Sequence, residues 1–130
     1  MIAILNNKEI ETVIGLTDSK RYEYFIKRAA DRAFVWGLYD NGWVSAGDDK
    51  NQLFFPVWPT KEYAVLCMNT IWKNASPREI EIHEFLEDYL DEMKQANVFV
   101  AVFYTPNDKG IIIEPEQLKK DLLNELSKIE

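Results

Sequence analysis

Cysteine and histidine occur once each in the 130 residues. A single Cys, Cys67, cannot close an internal disulfide, so nothing here calls for an oxidising compartment. One Cys with one His (His83) falls short of the usual zinc ligand set, and Asp48-Asp49-Lys50-Asn51 lacks the alternate spacing and glycine of a calcium loop. No metal and no cofactor is expected. The five glycines never fall in a G-x-G or P-loop pattern, which removes the usual phosphate cradles. None of the four serines sits in a G-x-S-x-G elbow, and any triad would depend on His83 alone. Long apolar runs are also missing: the longest uncharged one, Val98 to Tyr104, is far too short to cross a bilayer. Met1 to Leu5 is apolar but has no basic segment before it and no long continuation, so it does not read as a signal peptide. These absences lead to the expectation of a cytoplasmic protein with no membrane partner.

Positive charge is short in one part of the chain. Residues 1–78 carry ten Lys/Arg against nine Asp/Glu, whereas residues 79–130 carry five against thirteen, so the net charge of −7 comes from the second part. An acidic chain repels phosphate backbones, and nucleic acid is not an expected partner. The 47% hydrophobic content is that of a globular chain, and the length suits one domain. Residues 1–130 therefore read as a single domain, with 1–19 as a variable N-terminal extension or short helix.

Periodicity gives the elements. Asn6 to Ile14 can form a short helix, and Thr17 or Asp18 can cap a second over Ser19 to Arg32, where Tyr22, Phe25, Ile26 and Ala29 share a face. Phe34 to Leu38 and Trp43 to Ala46 flank Asn41-Gly42, the strongest short signal for a hairpin, because a type I′ turn needs positive φ at both central residues. Leu53 to Val57 reads as a third strand whose Pro56 suggests an edge or an end. Thr60 caps a helix with Tyr63, Ala64, Cys67, Met68 and Ile71 on its apolar side. Ser76 to Glu79 has capping-box spacing, but Ile80 and Ile82 alternate, favouring a brief strand with a helix from about His83, on which Phe85, Leu86, Tyr89, Leu90 and Met93 form the apolar face. Val98 to Tyr104 reads as a central strand covered on both faces, pairing with Ile111 to Ile113. Pro115 opens a last helix with Leu118, Leu122, Leu126 and Ile129 inward. The predicted class is α+β: an antiparallel sheet of about five strands in two hairpin-type blocks, with helices packed on it.

Few residues here suggest chemistry. Cys67 lies on an apolar helix face, where a thiol is inert, and His83 reads as a helix-start residue. Paired carboxylates can do acid–base work, but adjacent loop acids such as Asp48-Asp49 are mostly solvated turn formers. Trp36 and Trp72 are adequately explained by core duty. Trp43 follows a turn and Trp58 stands between two prolines, so these two are the aromatic candidates for a groove or interface. Glu84, Glu87, Asp88, Asp91 and Glu92 make an acidic helix face with only Lys94 to offset it. Arg21, Arg28 and Arg32, flanked by Lys20 and Lys27, form a modest basic stripe that is expected to meet the acidic helix of the same or a neighbouring molecule.

Several blocks together resemble a family, the bacterial domain of unknown function family 2750. They are Val35-Trp36-Gly37-Leu38 with Asn41-Gly42-Trp43, Phe55-Pro56-Val57-Trp58-Pro59 followed by Glu62-Tyr63-Ala64, Ile80-Glu81-Ile82 with Glu84-Phe85-Leu86, and Val98 to Val102 followed by Asp108-Lys109-Gly110 and Pro115-Glu116. The resemblance spans roughly residues 20–126. It implies a small single-domain bacterial protein and brings no activity, cofactor or catalytic residue with it. By architecture alone, the chain is also similar to the small acidic immunity proteins that neutralise bacterial toxins.

The leading expectation is a non-enzymatic, cytoplasmic protein-interaction module of immunity-like kind. It would use the acidic face Glu84, Glu87, Asp88 and Asp91 together with the Trp43/Trp58 region to bind a basic protein partner, or else self-associate. The alternative is a small-molecule sensor or weakly recognisable enzyme with a site near Trp43, Asp48, Asp49 and Trp58, with Asn107 and Asp108 as further polar candidates.

Overall fold

In the computed structural model, which describes residues 6–129, the helices start where capping chemistry places them; Met1 to Leu5 lies outside the described residues. Asn6 Oδ1 accepts the Glu9 N–H at 2.8 Å and opens α1 (Asn7–Ile14). Thr17 Oγ1 accepts the Lys20 N–H and opens α2 (Asp18–Arg32), which Ala33 ends in the left-handed region at φ 64°. β1 (Phe34–Tyr39) follows at once.

The hairpin expected at Asn41-Gly42 forms only at its tip. Asn41 (φ 58°) and Gly42 (φ 149°) reverse the chain, Tyr39 bridges Trp43, and the Val44 N–H donates to the Leu38 carbonyl at 2.9 Å. Beyond that, β1 pairs antiparallel along its whole length with β4 (Ser76–Glu81), which sets buried Val35 opposite buried Ile80. Six paired residues that set Ile80 against Val35 in the core outcompete a local turn whose own strand leaves Trp43 and Val44 only half-buried. The segment after Trp43 becomes β2 (Ala46–Gly47), paired instead with β3 (Leu53–Val57).

The expectation of one antiparallel sheet of about five strands is corrected. Two sheets are present, β1-β4 and β2-β3-β5-β6, with β5 at Phe99–Val102 and β6 at Ile111–Ile113. β3 and β5 run parallel, Phe54 opposite Phe99 and Val57 opposite Val102. Parallel neighbours require a long crossover, and residues 58–98 supply it. The sheets join where the Trp36 and Trp58 backbones exchange hydrogen bonds of 2.9 and 2.8 Å. β3 is therefore internal, not an edge. Alternation puts Pro56 on the same flank as Phe54 and Trp58, between the end of the β2 pairing and the Trp36 bridge, where its missing N–H breaks no ladder bond.

Helix α3 (Lys61–Thr70) begins after Thr60, but this threonine makes no cap bond, and its buried Oγ1 is without a partner. Helix α4 (82–96) starts with an α-helical turn, Ile82–Glu84, capped by Glu81, whose carboxylate accepts the His83 and Glu84 N–H groups. It widens into a five-residue turn over Phe85–Tyr89 and finishes as α-helix over Leu90–Ala96. In the wide turn the Leu90 N–H reaches back to the Phe85 carbonyl, bringing two fully buried side chains together. Helix α5 (Pro115–Ile129) buries Leu118 and Leu122; Ile129, expected inward, is 54% exposed where the helix outruns the core beneath it. No described helix is long and apolar enough to cross a membrane.

One hydrophobic cluster runs through both sheets and all five helices. Trp58 lies at its centre, fully buried, with the indole N–H satisfied by the Tyr104 carbonyl at 2.6 Å. Three tyrosines tie the helices to this core. The Tyr24 hydroxyl meets the Glu9 carboxylate at 2.9 Å and the Tyr63 hydroxyl at 3.3 Å, while the Tyr22 hydroxyl donates to Asp121. Burial pushes all three phenols above the ordinary tyrosine range. The unfolded chain therefore releases these protons first. Above the ordinary pKa of about 10 it binds fewer protons than the folded chain, and stability falls as pH rises. Urea denaturation between pH 8 and about pH 11.5 is expected to show this decline. For Tyr63, 1% exposed, the contribution is about 1.4 kcal/mol per pH unit, and Tyr63→Phe should remove that part of the slope.

Candidate functional site

Aromatic residues that a strand and a helix face leave incompletely covered gather at the β2 end of the larger sheet. Trp43, set by the Asn41-Gly42 reversal, lies edge-on to Tyr39 (centroids 5.3 Å apart), 5.8 Å from Phe55 of β3 and 5.9 Å from Tyr89 of α4. Trp43, Phe55 and Tyr89 are all half-buried. With Leu53, Met93 and Val98 they wall an open groove of about 370 Å³, with Ser45 and Glu92 as polar groups at its margin. The geometry has two sequence causes. Gly37 leaves the space that the Trp43 ring fills, since a Cβ there would stand 2.9 Å from Trp43 Cζ3. The wide turn of α4 buries Phe85, Leu86 and Leu90 and leaves Tyr89 at the margin. Behind the groove, the Arg78 guanidinium stacks over the Tyr39 ring, 3.8 Å from its centroid.

The sequence-derived candidates divide among four places. Trp43 is in the groove. Trp58 is not: it is fully buried and belongs to the core. Asp48 is held within its own loop, Oδ1 accepting the Lys50 N–H at 2.8 Å and the Gln52 N–H at 3.0 Å, while Asp49 is exposed beside it. The Gln52 bond first, and the Lys50 bond with it, keep the Asp48 carboxyl below its usual range. Asn107 is exposed, whereas Asp108 is bound to Arg21.

Arg21, the expected head of a basic stripe, is only 6% exposed. Its Nη1 donates to the Ile14 and Leu16 carbonyls at 2.8 and 2.7 Å, and its Nη2 to Asp18 and Asp108 at 2.5 and 2.9 Å. It clasps the α1–α2 turn to the β5–β6 loop. Partial burial pushes the Asp108 carboxyl up, but the Gly110 N–H, Asp18 and the guanidinium outweigh this and hold it below the usual range. Asp18 is pushed up, chiefly by the Asp108 carboxyl that shares the Arg21 guanidinium with it. Arg28 is likewise engaged, by Glu9 at 2.8 Å. Within the molecule the stripe therefore does not meet the acidic helix, because nearer carboxylates and carbonyls capture its guanidinium groups.

Glu84, Glu87, Asp88, Asp91 and Glu92 are all exposed, as a helix face opposite buried Phe85 and Leu86 must be. Asp91 is partly neutralised by Lys119 of α5 at 3.1 Å, and Lys94 pairs with Glu116 at 3.5 Å. Glu92 alone joins this acidic face to the groove. Among the described residues no three His, Cys, Asp or Glu side chains converge as metal ligands would. Burial pushes the Cys67 thiol up to about 12, and its Sγ lies 3.2 Å from the Tyr104 carbonyl.

The groove residues that sequence reasoning missed are Leu53, Phe55, Tyr89, Met93 and Val98. The sequence pattern sets Tyr89 and Met93 on the inward face of their helix, and nothing local signals that one end of that face stays open. Residues 22–122 match the family model described as "Protein of unknown function (DUF2750)". No curated protein and no solved structure matches the chain.

Because Gly37 makes room for the indole, Gly37→Ala is expected to displace Trp43. The change should cost about 1–2 kcal/mol by overpacking and red-shift the tryptophan emission. Trp43→Phe should relieve most of that cost, and urea denaturation of the single and double variants measures the coupling.

Proposed function

The chain belongs to the DUF2750 family of proteins of unknown function, and on that footing we propose that it is a non-enzymatic, cytoplasmic interaction module that seats a segment of a basic protein partner in the Trp43 groove. One observation carries the reading: half-buried aromatic and aliphatic side chains line an open groove that Glu92 connects to an exposed acidic helix face. Apolar side chains of the partner would fill the space between Trp43, Phe55 and Tyr89, where large anchors contribute most of an interface's affinity. Lysine or arginine flanking those anchors would meet Glu84, Glu87, Asp88 and Glu92. Charge of this kind accelerates encounter and selects partners more than it adds affinity. Asp91 contributes less, having Lys119 beside it. The immunity-like reading is one form of this proposal, in which the bound partner is a basic toxin. The small-molecule alternative draws little support, because its aromatic floor Trp58 is buried and Asp48 is engaged by its own loop.

Selection of a random-peptide display library on the folded protein tests the proposal. Enriched peptides are expected to combine aromatic or aliphatic anchors with Lys or Arg. Trp43→Ala should weaken them about tenfold or more, and joint neutralisation of Glu84, Glu87, Asp88 and Glu92 should flatten the salt dependence of binding. Selected peptides that bind Trp43→Ala as tightly as the unmodified protein, or that carry no basic residue, would refute it.

A further inference from the structure

The end strand of a sheet carries unpaired N–H and C=O groups, which proteins normally guard with charge, proline, bulges or brevity. β4 is guarded in this way by Pro77, Arg78, Glu79 and Glu81, and β2 has only two residues. β6, at the opposite end of the larger sheet, is also short, at three residues, but no charge or proline stands within it. It consists of Ile111, Ile112 and Ile113, and Ile112 is 38% exposed.

The direction of its backbone groups follows from the sheet. The Phe103 N–H donates to the Val57 carbonyl at 2.9 Å, toward β3. Alternation then turns the amides of Val100 and Val102 toward β6, so their partners Ile113 and Ile111 bond inward. The N–H and C=O of Ile112 face away from the sheet. We infer that β6 pairs antiparallel with β6 of a second copy of this chain, about a two-fold axis at Ile112, making one sheet continuous across both copies.

Three features favour a second copy over an unrelated strand. The first is register. Ile112 and the partner's Ile112 can exchange both of their hydrogen bonds across the axis. Farther out, the Glu114 N–H meets the Gly110 carbonyl of the partner subunit. The other groups at those positions are already used: the Gly110 N–H by Asp108 Oδ1 at 3.0 Å, and the Glu114 carbonyl by the Gln117 and Leu118 N–H groups at 3.1 Å. The second is charge. Lys109 and Glu114 bracket β6. With Ile112 on the axis, Lys109 falls opposite the partner's Pro115, next to the partner's Glu114. Antiparallel self-pairing thus brings the basic end of each strand to the acidic end of the other, whereas a parallel arrangement would set like ends together. The third is packing. Ile112 covers the partner's Ile112, and Ile111 and Ile113 line the mouth of an open cleft of about 640 Å³ between α2 and α5. Self-pairing extends that apolar lining with the same residues from the other copy.

Disulfide trapping is the direct test. Facing residues of a bonded antiparallel pair have Cα atoms about 5.5 Å apart, a separation that a disulfide spans. Ile112→Cys is expected to give a covalent dimer on mild oxidation. Leu123→Cys, 48% exposed on α5, should not, and buried Cys67 does not compete. Sedimentation should show a dimer for the unmodified protein and a monomer for Ile112→Pro, since proline there removes an outward N–H and no bond of the β5 ladder. Lys109→Glu should weaken the dimer and the double variant Lys109→Glu, Glu114→Lys should restore it, which keeps the test decisive if the proline variant does not fold. A monomeric unmodified protein would overturn the inference. So would equal cross-linking of both cysteine variants, a dimer that survives Ile112→Pro, or capture at β6 of an extended peptide by a chain that stays monomeric.

Discussion

The backbone bridge between Trp36 and Trp58 is the contact on which the other arrangements depend. Two hydrogen bonds tie the middle of β1 to the end of β3 and so join a two-stranded sheet to a four-stranded one. Directly beyond, the Trp58 ring is buried between the sheets and α3, and its N–H donates to the same Tyr104 carbonyl that Cys67 Sγ approaches. A buried indole N–H without an acceptor would cost about 1–3 kcal/mol. The chain after β5 is therefore held close to that tryptophan. The groove follows from this arrangement. With β1 fixed beside β3, Gly37 stands across from Trp43, and Phe55 comes within reach of the same ring.

The sequence revealed those features that depend on neighbouring residues. The cap at Thr17, the apolar faces of α2 and α4, the pairing of β6 with β5 across the 105–110 loop and the burial of Cys67 all rest on spacings of a few residues. Pairings between distant segments were not legible. Asn41-Gly42 has the composition of a hairpin and bends as one, yet the partner of β1 lies some forty residues on. No local signal shows that β4 buries Ile80 better than the turn's own strand could bury Val44. Likewise Pro56 reads as an edge residue, and only the gap between two partial neighbours on one flank lets it sit within an internal strand.

The candidate site was legible to the same extent, for the same reason. Trp43 and the acidic residues of α4 could be singled out because a turn-adjacent tryptophan and an uncompensated charged face are visible in one dimension. That Glu92 joins them, and that Phe55 and Tyr89 complete the aromatic wall, depends on β3 and α4 meeting. Trp58 failed as a candidate because flanking prolines suggest a loop, whereas these two bracket a strand end driven into the core. The basic stripe failed more instructively. A guanidinium near a helix start finds the orphan carbonyls of the preceding helix, and Arg21 takes those of Ile14 and Leu16 before any partner can. The guanidinium groups of Arg21 and Arg28 are thus engaged internally, and Glu84, Glu87, Asp88 and Glu92 of α4 are left facing solvent.

This asymmetry of charge bears on how the two surfaces can work together. β2 and β6 are the two ends of the larger sheet, so the groove and the unguarded edge lie at opposite ends of one strand order. Pairing through β6 leaves both grooves of a dimer open and directed apart. With a net charge of −7 on each copy, association through an acidic face would be opposed by like-charge repulsion. The β6 region escapes this, because the basic end of each strand at Lys109 comes to the acidic end of the other at Glu114 and the edge between them is uncharged. A dimer so formed presents two acidic, aromatic-lined grooves on one rigid sheet. A partner carrying two basic segments would then bind with an effective concentration set by the sheet, and each groove could be weak on its own while the pair is not.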